Sequence, residues 1–224
     1  MRSKTNKITS YIHWWFTVRL LPLLKGPDPR NRLARNTWRL YQDMAWLGLT
    51  SAASTYINVY AIRLGASDKL IGLRTAIPSL LIVLLRIPAA QLMERTSNRK
   101  RLIVISLLAG RVFYLLIFLL PWLSILPLVK QIPQATLLVW IVIGIGIPSV
   151  LSQAGWDSFF ADVVPTERRA RVVSTRSTMT NLMTLSLVPL FGIWLDWASF
   201  PMNYQVVFLI AFIGASGIEY VPQL

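Results

Sequence analysis

Of the ionisable side chains inside the long apolar stretches of this 224-residue chain, five are candidates for an intramembrane charge network: Asp43, Arg86, Arg111, Arg176 and Glu219. A charge placed among lipid tails is costly, so such residues pair with one another, face a wet cavity, or mark the path of an ion or solute. Arg111 lies about ten residues into its apolar run, roughly 15 Å at the rise of a helix. At that depth it needs a carboxylate or a wet cavity, and Asp43 and Glu219 are the candidate partners. The same two carboxylates are the only ones in the apolar runs suited to carrying a proton, and each is equally readable as structural. Arg86 and Arg176 lie nearer the ends of their runs and read as snorkelling or loop-pairing residues. Arg74 reads as an interface residue at the opposite end.

Other chemistries lack their parts. The chain has no cysteine, and its one histidine, His13, lies outside the apolar runs. Disulfides, Cys-ligated metals and His-ligated metals are therefore not expected, nor is an intramembrane protease that needs a membrane His. There is no Gly-rich nucleotide loop and no paired Asn-Pro-Ala half-helix of a water pore. The expectation is a protein that is not an enzyme and carries no cofactor or metal.

The elements that must hold these charges are visible in the composition. Hydrophobic residues make up 54% of the chain and charged residues only 14%, against about 25% in soluble domains. Together with apolar runs near twenty residues long, this indicates an integral membrane protein. We expect an all-α fold with six spans, at about 38–62, 70–93, 102–123, 134–156, 172–194 and 203–221. The first is the least apolar, with Asp43, Thr50, Ser54 and Asn58 forming a polar stripe that should face protein or water. Pro148 and the nearby glycines should loosen the fourth.

Charge outside the spans sets their direction. The formal charge is +14, but the excess sits in the N-terminal tail and in loops beside spans. It reads as topology and attraction to anionic lipid, not as nucleic-acid binding. Met1 to Arg39 carries nine Lys and Arg, the 94–101 link four and the 157–171 link three, whereas the three intervening loops carry two, one and none. Basic loops stay in the cytoplasm, so both termini are expected there, in the cell membrane. The tail, residues 1–35, reads either as poorly ordered or as an interfacial helix over 8–24 with Trp14 and Trp15 at headgroup level. No small-residue cleavage site follows it, which argues against a signal peptide. Gly26-Pro27-Asp28-Pro29 separates it from the six-span domain, residues 36–224.

The link Ala89-Ala90-Gln91-Leu92-Met93-Glu94-Arg95, continued by Arg99, Lys100 and Arg101, resembles the signature between spans two and three of the major facilitator superfamily. Ala90 stands at its first glycine, Leu92 at its leucine, Glu94 at its acid and Arg95 at its arginine; two glycines are lost and the acid is one carbon longer. The second link, with Trp156, Asp157, Asp162, Pro165, Arg168 and Arg171, is similar to the one between spans four and five in many prokaryotic members. The resemblance implies the N-terminal six-helix half of a secondary transporter, built as two three-helix inverted repeats. Such a protein moves a small solute by alternating access, with or without a coupling proton or other ion. It also implies that spans one and four line the path, which makes Asn58, Trp140, Gln153 and Trp156 the candidate lining. Glu94 reads either as a latch toward the second half or as part of a solvated topogenic loop. Family members normally have twelve spans, so the expected partners are membrane lipid and a second six-helix half, separately encoded or a second copy of the chain. A truncated product or a non-transporting membrane scaffold is the alternative.

Overall fold

A computed structural model describes residues 32–127 and 129–217. Among them every regular element is a helix, and there are eight: α1 Arg32–Thr55, α2 Ile57–Arg63, α3 Asp68–Arg95, α4 Arg99–Phe118, α5 Leu120–Leu123, α6 Gln134–Val163, α7 Thr166–Trp197 and α8 Met202–Gly217. Four of them, α3, α4, α6 and α7, contain segments long and apolar enough to cross a membrane. α8 is shorter and equally apolar over its described length. α1 and α2 form one path interrupted at Tyr56, and α4 and α5 another interrupted at Leu119. The second break precedes Pro121, which sits in the first turn of α5, where a missing N–H leaves no helical bond unmade. The expected tail helix over 8–24 and Glu219 lie outside the described residues.

The ends of α3, α4, α6 and α7 follow from local chemistry. Ser67 caps α3, its hydroxyl accepting from the Leu70 N–H. Asn98 caps α4 by accepting from the Arg101 N–H at 3.2 Å, so the link between α3 and α4 is only Thr96 to Asn98. The second basic link corrects the reading from sequence. Expected over 157–171, it consists of Val164 and Pro165 alone: α6 runs through Asp157 and Asp162, and α7 begins at Thr166. Pro165 disfavours the helical conformation in the residue before it, and Val164 is extended at φ −108°, ψ 118°. Nothing upstream of it stops the helix, while Arg168 and Arg171 fall in the first turns of α7.

The helices pack in an open order. α7 lies on α1, α1 on α8, α8 on α4, α4 on α6 and α6 on α3. Exchanging the first three spans for the last three, in order, leaves this set of pairings unchanged. Several contacts need glycine, Gly48 and Gly155 among them. A Cβ at Gly48 of α1 would stand 2.5 Å from the Met183 Cβ of α7, and one at Gly155 of α6 would collide with Ile103 and lie 2.8 Å from Met93. Small residues let backbones approach where lipid supplies no hydrophobic drive.

The core sits toward the end away from the basic links. Tyr60 of α2 stacks on Tyr204 of α8 at 4.5 Å, with Phe208 and Phe200 against the same ring. The Tyr56 hydroxyl donates to the Val188 carbonyl at 2.6 Å, and Asn203, fully buried, donates to the Leu195 carbonyl at 2.8 Å. Turn residue Gly65, at φ +87°, makes the bend into α3, a backbone conformation that side chains with a Cβ rarely adopt.

Candidate functional site

At the basic-link end, helical spacing gathers polar groups on facing sides of α3 and α6. Ile82, Arg86 and Ala90 recur every four residues, and Gln153, Ala154 and Asp157 lie within one turn of each other, so each set shares a helix face. The two faces border a recess of about 140 Å³. The alanines leave the space, and Arg86, Gln153 and Asp157 supply one cation, one amide and one carboxylate to a single volume. The sequence assigned these three to separate roles: a charge network, a path lining and a loop. The correction to the helix boundary is what brings Asp157 into the recess.

A second constellation lies between α1, α6 and α7. Asp43 is 2% exposed, and one of its carboxylate oxygens accepts no hydrogen bond among the described residues. Arg176 of α7 is the opposite charge acting on it. The same guanidinium lies over the Trp156 ring at 4.4 Å and the Phe160 ring at 5.7 Å, both on α6. An arginine over aromatic faces is favoured electrostatically, more so when water is excluded. Beside it, the Thr180 hydroxyl meets the Met44 sulfur and Thr184 meets the Gly48 carbonyl, while the polar stripe of α1 and α2 finds partners elsewhere: Thr50 bonds the Trp46 carbonyl within α1, Ser54 meets the Tyr114 hydroxyl of α4, and Asn58 meets Arg74 of α3.

Arg111 takes a third position. It is 6% exposed, and its Nε donates at 2.8 Å to the Ala215 carbonyl of α8. Among the described residues, Asp43 and Arg176 act on each other, Arg86 shares the recess with Asp157, and Arg111 binds a carbonyl of α8; Glu219 lies outside them.

The remaining expected residues distribute plainly. Glu94, Arg95, Arg99, Ala90 and Leu92 are exposed at the α3–α4 link, as are Pro165, Arg168 and Arg171 at the next. The side chains of Lys100 and Asp162 are outside the described set. Asn58 accepts a hydrogen bond from the Arg74 guanidinium, tying α2 to α3. Trp140 is 58% exposed, while Trp156 is occupied by Arg176. Among the described residues, no group of three or more His, Cys, Asp or Glu side chains could hold a metal. Sequence reading missed the aromatic cradle of Arg176. Its signal was available: Trp156 and Phe160 are four apart and share a face of one helix.

Comparison with known proteins gives one result. The family model described as Major Facilitator Superfamily matches residues 43–218, which covers both basic links and all three constellations. No curated protein and no solved structure matches the chain.

Proposed function

The chain belongs to the Major Facilitator Superfamily, and on that premise we propose that it moves a small solute across the cytoplasmic membrane by alternating access. It is a multi-pass membrane protein and a transporter of the major facilitator type. The proposal adds the topology, the repeat and the working unit. Six spans with both termini in the cytoplasm follow if α1–α2 and α8 cross beside the four long apolar helices, and the loop charges support that direction. The pairing set that survives exchange of spans one to three for four to six supports two three-helix inverted repeats.

The working unit is the six-helix bundle joined to another, either a second copy or a separate chain. The observation that carries this is exposed polar surface on spans one and four, Thr55 and Gln153, which would meet lipid at a cost unless another bundle covered it. Exposed Glu94 at the end of α3 would latch across that junction. A coupling ion, if one is used, would be carried by a carboxylate inside the bundle, and Asp43 is the described candidate.

The test is to purify the chain, reconstitute it in vesicles, and measure its mass in the membrane beside the uptake of a panel of radiolabelled sugars, amino acids and organic cations. We expect saturable uptake of at least one compound by a paired unit, lost in Glu94→Gln. Saturable flux by a stable monomer would overturn the paired unit, and no flux of any compound would favour a non-transporting scaffold.

A further inference from the structure

The recess between α3 and α6 brings two opposite charges to the border of one volume. Its polar lining is one guanidinium, Arg86, one carboxylate, Asp157, and one amide, Gln153. Among the described residues neither Arg86 nor Asp157 is engaged by another charge or hydrogen-bond partner, so the two opposite charges border the same volume without neutralising each other. All three polar side chains are exposed, hence reachable. The walls between them are apolar or small: Ile82, Ala90 and Ala154. A volume of about 140 Å³ is well above the roughly 10–15 Å³ that a single water needs on the same measure, so the recess has room for a small charged group.

We propose that this recess binds a small zwitterion, its anionic group on Arg86, its ammonium on Asp157 and Gln153 hydrogen-bonding between them. An anion alone leaves the carboxylate unmet, and a cation alone leaves the guanidinium unmet. Opposed charges thus select against both, because a site made for a polar group discriminates strongly against a ligand that lacks it. Arginine is suited to the anionic end, since its planar fork meets a carboxylate or phosphate through two bonds. The chemistry has two sources: a free amino acid, or the headgroup of an ethanolamine phospholipid entering from the bilayer. That the bound zwitterion is also the transported solute would rest on the proposed transport function; the binding site does not.

The probes are glycine, β-alanine and γ-aminobutyrate, which differ in charge separation, with acetate and ethylammonium as single-charge controls. The readout is the thermal unfolding midpoint of the purified full chain in detergent, repeated in nanodiscs of phosphatidylcholine with and without phosphatidylethanolamine. Ligand binding to the folded state alone raises the midpoint, and we expect a rise of about 2–4 °C at near-saturation for at least one zwitterion and none for either control. Arg86→Gln and Asp157→Asn should each abolish it. If the soluble compounds do nothing but ethanolamine lipid gives the same shift, lost in both variants, the occupant is the headgroup. Should either charge variant fail to fold, Ala154→Leu, which fills the recess and leaves both charges in place, must abolish the shift instead. The proposal is overturned if neither source stabilises the protein, if acetate or ethylammonium does as well as the zwitterions, or if the variants keep the full shift. Stabilisation without flux would leave the site standing and remove the transport reading; flux of some other solute without stabilisation would do the reverse.

Discussion

Arg176 is held from two sides, by the carboxylate of Asp43 on α1 and by the rings of Trp156 and Phe160 on α6. Three spans thus meet on one guanidinium near the basic-link end. Neutralising Asp43 alone leaves a half-buried cation with its rings only, and neutralising Arg176 alone leaves a buried carboxylate. A double-mutant cycle of Asp43→Asn and Arg176→Gln, read by thermal unfolding, should return a coupling of about 0.5–3 kcal/mol, the range for residues in one network. Coupling near zero would mean that the two charges are held independently. Arg111 makes a different prediction. Its bond to the Ala215 carbonyl is a charged hydrogen bond in a buried setting, and Arg111→Leu should lower stability by about 1.5–3 kcal/mol. Arg111→Lys keeps a cationic donor for the Ala215 carbonyl and should recover part of it; full recovery would show that the guanidinium geometry is irrelevant.

At the scale of elements, several helix contacts rest on the absence of a side chain. Gly48→Val places methyls against the Met183 Cβ, which cannot move without its backbone. Overpacking of this kind costs about 1–3 kcal/mol, and the unfolding midpoint should fall accordingly, whereas valine at Gly72, where a Cβ meets nothing within 4 Å, should be mild. These contacts also show what sequence could and could not convey. Long apolar runs announced α3, α4, α6 and α7 because hydrocarbon thickness imposes a length. The charge asymmetry of the links gives an expected direction, and the two links pointed to the family that the match over residues 43–218 shows. What was not legible is which spans touch. Periodicity places Asp157 and Gln153 on one face of α6, but only the register between α3 and α6 puts Arg86 opposite them. Nor did composition show where helix gives way to loop, since charged residues such as Asp157 and Arg168 read as loop and are in fact helical.

For the whole molecule, the expected topology is checked with reporter fusions. Fusions at Lys130 and Ser199 should report the outside and fusions at Asn98 and Glu167 the cytoplasm. A cytoplasmic signal at Lys130 would reverse the arrangement of α4 and α6 and with it the direction of every span.

The pairing order of the helices bears on how the molecule is made. α3 has its main packing partner in α6, and α1 has one of its two in α7, so neither finds that partner among the spans synthesised immediately before or after it. At about 5–20 residues per second, a ribosome that has finished α3 needs several seconds more to complete α6. During that interval α3, with its proline-interrupted turns and Arg86, stays in the translocon or the bilayer without its neighbour. A chain released after Lys130 should therefore be an early substrate for membrane proteases, and one released after Val163 should be markedly longer-lived, a difference that pulse-chase labelling would read directly.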